Sequence, residues 1–266
     1  RGLAPHLAGS TFSPQDAHVN PIRLCLGFAR AARKLGAEIN LETAVIGIKT
    51  RGGRVKSVIT NRGEIETDLV INAAGAFAPM IGEMVGISLP IMPRRGQIVV
   101  TEPVPKLVKG DVLCAKYITA KYNPKLSEGS TDPEDKLGVG LSLSQTKNGN
   151  LLIGGCREFA GYDKRNTHEA LKTILKHATR LVPILKQVHI IRCFAGFRPY
   201  TPDGLPILGP VKGIDGFFMA AGHEGDGIAL SPITGKIVSD LIVDGRTFMD
   251  VSSLSMDRFG LQNHQS

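Results

Sequence analysis

Apolar and polar positions follow several distinct rhythms along the chain. Residues 21–35 place Ile22, Leu24, Cys25, Phe28, Ala29, Ala32 and Leu35 on one side of a 3.6-residue spiral. Asn20 is a suitable cap, Pro21 fits the first turn and Gly36 is a stop, so a helix is predicted there. Residues 37–41, 44–50, 54–60 and 64–67 alternate or are β-branched and read as strands, with turns at Gly52-Gly53 and Asn61-Arg62-Gly63. Residues 68–75 are apolar without alternation, the pattern of a strand covered on both faces, and lead into a helix over 76–85. Strand character resumes over 87–104, where Pro90 and Pro93 suggest an edge or a crossing between domains.

The second half repeats these signals. Residues 116–124 are aromatic and alanine-bearing, and 125–136, the most polar stretch, read as an exposed loop or flap. Residues 138–144 and 151–155 predict a hairpin about Asn148-Gly149-Asn150. Residues 167–181 form an amphipathic helix ended by Pro183, and 188–197 return as a strand. Phe217, Phe218 and Met219 then open a buried strand that runs into Gly222, Gly225 and Gly227. Beyond them Ile228, Leu230, Ile233, Ile237, Val238, Leu241 and Ile242 recur at helical spacing. The order suggests a discontinuous α/β domain interrupted by a mostly antiparallel sheet domain. The expected divisions are 1–78, 79–190 and 191–266.

Composition narrows the function. The formal charge of +8 comes from dispersed basic residues without an aromatic ladder, which argues against nucleic acid and for a mild pull on anionic ligands. Cys25, Cys114, Cys156 and Cys193 are far apart and form no C-x-x-C pair, so neither a metal site nor a disulfide framework is indicated; buried free thiols in a cytoplasmic protein are expected. No apolar run reaches transmembrane length. The first residues, Arg1-Gly2-Leu3-Ala4-Pro5-His6, have neither an initiator methionine nor a signal-peptide stretch and suggest a piece of a longer protein.

Two features carry chemistry. A strand, a glycine turn and a helix point backbone N–H groups and a positive helix end at an anion or an electron-rich ring. Arg198, between Phe197 and Pro199, offers a planar fork that matches a carboxylate bidentately. Small residues at Ala73, Ala74 and Gly75 admit either a bulky ligand or close helix packing.

Four blocks together resemble the FAD-dependent amine oxidoreductases of the D-amino-acid oxidase superfamily. They are Val19-Asn20-Pro21 with its helix, residues 37–75 ending in Asn72-Ala73-Ala74-Gly75, residues 197–209, and residues 221–242. The turn Gly222-His223-Glu224-Gly225-Asp226-Gly227-Ile228 and residues 116–121 are most similar to β subunits of hydrogen cyanide synthase, opine oxidase and related proline or hydroxyproline dehydrogenases. The resemblance implies a discontinuous, Rossmann-like FAD-binding domain and an antiparallel substrate domain. None of the 31 glycines forms the G-x-G-x-x-G fingerprint after a strand, so the N-terminal βαβ unit of that fold is absent here.

By the same resemblance Val45 meets the adenine edge, Ala74 and Gly75 lie against the pyrophosphate, and Gly222, Gly225, Asp226, Gly227 and Ile228 cradle the flavin. Arg198 holds the substrate carboxylate, and His223 either stacks on or bonds the flavin or substrate, or serves as a packing histidine. Glycine oxidase-like relatives carry a second arginine where this chain has Gly225. The covalent flavin cysteine of monomeric sarcosine oxidases falls near Gly196, so FAD is expected to be non-covalent. The implied reaction oxidises the CH–NH bond of an amino or imino acid of the glycine, sarcosine, proline or opine type. A partner subunit or electron carrier would accompany it. A non-catalytic binding or assembly module is the alternative reading.

Overall fold

A computed structural model describes residues 2–123 and 129–260. The chain divides into two compact units, one made of the residues up to Val19 with Arg94–Phe197, the other of Asn20–Pro93 with the residues from Arg198 onward.

The unit that starts at Asn20 opens with helix α1 (Pro21–Lys34). The Asn20 side chain accepts from Arg23 N at 3.0 Å, and Gly36 turns left-handed just beyond the end. Ile22 and Leu26 on this helix and Leu35 at its C-cap are exposed, and none of the helix residues is buried. Strands β1 (Val45–Arg51), β2 (Arg54–Thr60) and β3 (Gly63–Glu66) then form an antiparallel meander. Residues 37–41 are not the expected strand; residues 37–44 form turn and coil and join neither edge of the β1–β2–β3 sheet.

Strand β4 (Val70–Asn72) is shorter than the pattern over 68–75 suggests, and Ile71 is 44% exposed, so both faces are not covered. A 3-10 turn (Gly75–Phe77) precedes α2 (Ala78–Glu83) in place of one longer helix. This unit also contains β10 (Ile207–Pro210), β11 (Phe217–Ala221) and α6 (Gly227–Val243), followed by two 3-10 turns (Ser252–Leu254 and Met256–Phe259). β11 lies between β10, antiparallel, and β4, parallel. Val55, Ile207, Phe217 and Met219 are fully enclosed in this unit's core, each burial contributing about 1.5–3 kcal/mol.

The other unit is built on a five-stranded sheet in the order β6 (Val112–Leu113), β7 (Ser142–Gln145), β8 (Asn150–Gly154), β5 (Met92–Pro103), β9 (Ile190–Tyr200). Residues 87–91 do not join β5. Helix α5 (His168–Leu181), capped by Thr167, supplies Ala170, Ile174 and Ala178 to the core with Val99, Leu143, Leu151 and Ile153. Two helices arise where none was expected. Helix α3 (Ala115–Tyr122) carries Tyr117, Lys121 and Tyr122, and α4 (Pro133–Lys136) stands at the end of the stretch read as a flap. Glu134 of α4 is 8% exposed, contrary to a solvated flap; residues 125–128 of that reading lie outside the described residues. The cysteines also differ from expectation, for Cys156 is buried but Cys25 is exposed and Cys114 and Cys193 are intermediate.

Candidate functional site

The parallel pairing of β4 with β11, with Asn72 opposite Met219, makes both strands deliver their following turns at one sheet edge. After β4 the backbone is held by Asn72, whose amide donates to Ala78 O at 2.9 Å and whose Oδ1 accepts from Ala74 N at 3.3 Å. Gly75 then adopts φ +57°, and a Cβ there would meet nothing within 4 Å. The backbone at Ala74-Gly75 is therefore open to a ligand's approach, as a phosphate contact needs.

After β11, Gly222 takes φ +89°, and a Cβ on it would lie 2.8 Å from Thr201 Cγ2. Glycine is required there on both conformational and steric grounds. Glu224 is also left-handed at φ +46°, unusual for a residue with a side chain. It is 8% exposed, its N–H donates to Pro199 O at 3.0 Å, and its carboxylate accepts from Gly225 N. Asp226 N–H closes onto His223 O, and α6 starts at Gly227. The first-turn N–H groups of α6, at Gly227 and Ile228, have no intrahelical acceptor by construction and carry the helix's positive end.

His223, in the turn before α6, reaches forward to that helix, with Nε2 2.9 Å from Thr234 Oγ1. Burial lowers its pKa and the carboxylate of Asp226 opposes that only in part, so the ring is neutral. The bond to Thr234 fits the packing role and leaves the ring fixed beneath the turn. A Cβ at Gly227 would sit 3.0 Å from His223 Cβ, so a glycine lets the helix close on it.

Arg198 is brought to this turn. A Cβ at Gly225 would come within 3.9 Å of Arg198 Cδ, which places the guanidinium stem directly before a position without a side chain. The strand end is fixed by the loop after it. Thr201 is buried and donates to Leu205 O at 2.8 Å, and Arg258 grips Asp203 with Nε at 2.6 Å and Leu205 O with Nη2 at 2.8 Å. Burial works against the charged Asp203 carboxyl, but Arg258 and the Leu205 N–H outweigh it and hold it below its ordinary range. Arg258 and Thr234 were not singled out by sequence, and neither was the left-handed backbone of Glu224. Arg258 is 55 residues from Asp203, and no local spacing signals such a pair.

The structure thus gathers Arg198, Gly222, His223, Gly225, Asp226, Gly227 and Ile228 around one turn, and Ala74 and Gly75 leave the same sheet edge. Val45 stands elsewhere in the topology, opening β1 opposite Thr60, and is 37% exposed. An open glycine backbone, a helix start and a single guanidinium suit a flat, electron-rich ring and a carboxylate, which FAD and an amino acid would supply. Among the described residues no group of three or more His, Cys, Asp or Glu is arranged to hold a metal ion, and no helix is long and apolar enough to cross a membrane.

Comparison with known proteins places these features in context. The sequence profile of the DAO family, FAD dependent oxidoreductase, matches residues 1–241. Hydrogen cyanide synthase subunit HcnC of Pseudomonas protegens is 34% identical over 92% of this chain and 53% of its own length. Glycine oxidase of Pseudomonas aeruginosa is 32% identical over 94% of this chain and 62% of its own length. The crystal structure of L-proline dehydrogenase from P. horikoshii superposes with a TM-score of 0.79 at 30% identity, covering 90% of this chain and 60% of that one. The chain therefore spans between half and two thirds of the length of these relatives.

Proposed function

The chain belongs to the DAO family of FAD-dependent oxidoreductases, and from that premise we propose that the whole protein oxidises the CH–NH bond of an amino or imino acid. The observation that carries the reading is Arg198 standing against the side-chain-free position Gly225 at the start of α6. FAD, when bound, would supply the two-electron acceptor for a hydride from the carbon beside the nitrogen. The chain's residues provide position and charge.

The Gly222–Ile228 turn would hold the flavin ring edge, with the α6 N–H groups opposing negative charge on the pyrimidine side. Ala74 and Gly75 would take the pyrophosphate, and Val45 the adenine edge through its backbone. Arg198 would grip the substrate carboxylate with a bidentate fork, so that the carbon bearing the hydrogen is oriented and bimolecular encounter becomes a positioned step. His223 stays neutral and bonded to Thr234, keeping a cation away from the flavin and bracing the turn that Arg198 faces. No strong base is required, since the step needs a neutral amine and an oriented C–H bond.

The relatives are named as a cyanide synthase subunit, a glycine oxidase and a proline dehydrogenase. They support a small amino or imino acid as substrate, with electrons passing on to oxygen or to a partner subunit or carrier. Gly225, where a glycine oxidase-like chain has arginine, argues for a substrate other than glycine. The experiment is expression of the full-length protein, its absorption spectrum, and anaerobic mixing with glycine, sarcosine, proline, hydroxyproline and an opine. A yellow protein bleached by one of them is expected. A protein that takes up no flavin overturns the proposal.

A further inference from the structure

Cys114 is the N-cap of α3, and its sulfur is surrounded by groups suited to a thiolate. Sγ accepts from Tyr117 N at 3.4 Å and from Leu141 N at 3.1 Å, and stands 3.5 Å from His177 Nε2. His177 is 3% exposed, and its other nitrogen lies 3.0 Å from Glu134 Oε2. A nucleophile, a base and a carboxylate that orients the base are thus in line, drawn from α3, α5 and α4. None of the three belongs to the site described above, and the set is not arranged for a metal.

We propose that Cys114 is a peroxide-reactive thiolate, activated by His177 and oriented through Glu134, where a small hydroperoxide forms a sulfenic acid. With Nδ1 protonated, His177 donates to Glu134 and its Nε2 lone pair faces the thiol. Transfer of the thiol proton to Nε2 gives an imidazolium with one N–H toward the carboxylate and one toward the thiolate. The sulfur then attacks the peroxide's terminal oxygen, the O–O bond breaks with its electron pair on the departing oxygen, and the His177 proton converts that oxyanion to water or, from an alkyl hydroperoxide, to an alcohol. Sulfur is oxidised by two electrons and the peroxide is reduced by two.

The charges facing the cluster are compatible with this. Lys116 Nζ lies 3.1 Å from Glu134, 2.7 Å from Asp135 and 3.8 Å from Asp132. Arg180, half exposed on α5, reaches Glu134 at 3.1 Å and His177 Nδ1 at 2.9 Å. It can serve that nitrogen when the proton is on Nε2, and can keep Glu134 when the proton is on Nδ1. Burial raises the Cys114 pKa, but the His177 bond and the two backbone N–H groups lower it more, and the net value is below that of an ordinary thiol. Cys114 is only partly buried, whereas Cys156 is buried and Cys193 is pushed up by burial.

Site-resolved alkylation of the native protein with iodoacetamide, read by mass spectrometry from pH 9 to pH 6, tests this against the exposed Cys25. Cys114 should slow by less than about tenfold over that range, where an ordinary thiol slows by more than about a hundredfold. Hydrogen peroxide followed by dimedone should tag Cys114 before Cys25, and Cys114→Ser should remove the tag. His177→Gln and Glu134→Gln should each move the alkylation profile of Cys114 to higher pH. The wild-type profile and the dimedone tag decide the matter even if a variant does not fold. A profile like that of an ordinary thiol, or no sulfenic acid at Cys114, would leave a merely structural Cys–His contact and overturn the proposal.

Discussion

At the turn entering α6, three glycines and a left-handed glutamate bare the backbone, and one arginine stands before it. Around Glu134, by contrast, Lys116, His177 and Arg180 converge on a single nearly buried carboxylate. The first region presents N–H groups and empty space, so its chemistry is set by what is missing from the side chains. The second is crowded with charge, so its chemistry is set by which proton sits where. Substitution should therefore damage the first by adding atoms and the second by removing them.

The largest effect is expected at Gly222. Gly222→Ala forces a Cβ into Thr201 and a left-handed backbone on a substituted residue, and should cost about 2–4 kcal/mol. Gly75→Ala, with equal handedness but open space, should cost only about 1 kcal/mol. Urea titration followed by circular dichroism compares the two, and equal losses would break the distinction between strain and crowding. Next, Glu134→Ala strands the buried His177 beside Lys116 and Arg180 and should cost about 2–3 kcal/mol, the exposure of the two long cations reducing the effect.

Acid should separate the regions further. Burial opposes the Glu134 charge, yet Lys116, His177 and Arg180 outweigh it and its pKa is lowered. That stabilisation is complete above the ordinary carboxylate value of about 4.3 and is lost as pH falls through the lower native value. Glu134→Gln should flatten this acid limb. The smallest effect belongs to His223, whose burial lowers its pKa, so the unfolded chain takes its proton first. Stability from that group is full above about pH 6.5 and declines as pH falls toward the native value. His223→Gln should remove the decline, as followed by hydrogen exchange at residues 222–228, and a slope that survives it would assign the effect elsewhere.

Much of this arrangement was legible in sequence where the pattern is local. β2 fills 54–60 as its alternation indicates, and α5 starts after its Thr167 cap. The glycine turn follows a buried strand, and Arg198 stands beside it. Where partners decide, the pattern misled. Residues 37–41 alternate like a strand but pair with neither edge of the β1–β2–β3 sheet. α3 mixes aromatic, polar and alanine positions without a clean period, and its cap is a cysteine whose role depends on Leu141 and His177. The Asp203–Arg258 clamp and the burial of Glu134 likewise arise from contacts 55 and 43 residues apart.

The central claim is that Arg198, set against Gly225, anchors the carboxylate of an amino or imino acid. Anaerobic titration of the flavin-loaded full-length protein with its best substrate, read as loss of flavin absorbance, tests it in wild type and Arg198→Lys. A lysine keeps the charge but loses the fork, and the half-saturating concentration should rise about 10- to 100-fold while flavin content is unchanged. An unchanged half-saturation in a flavin-loaded Arg198→Lys protein would contradict the account.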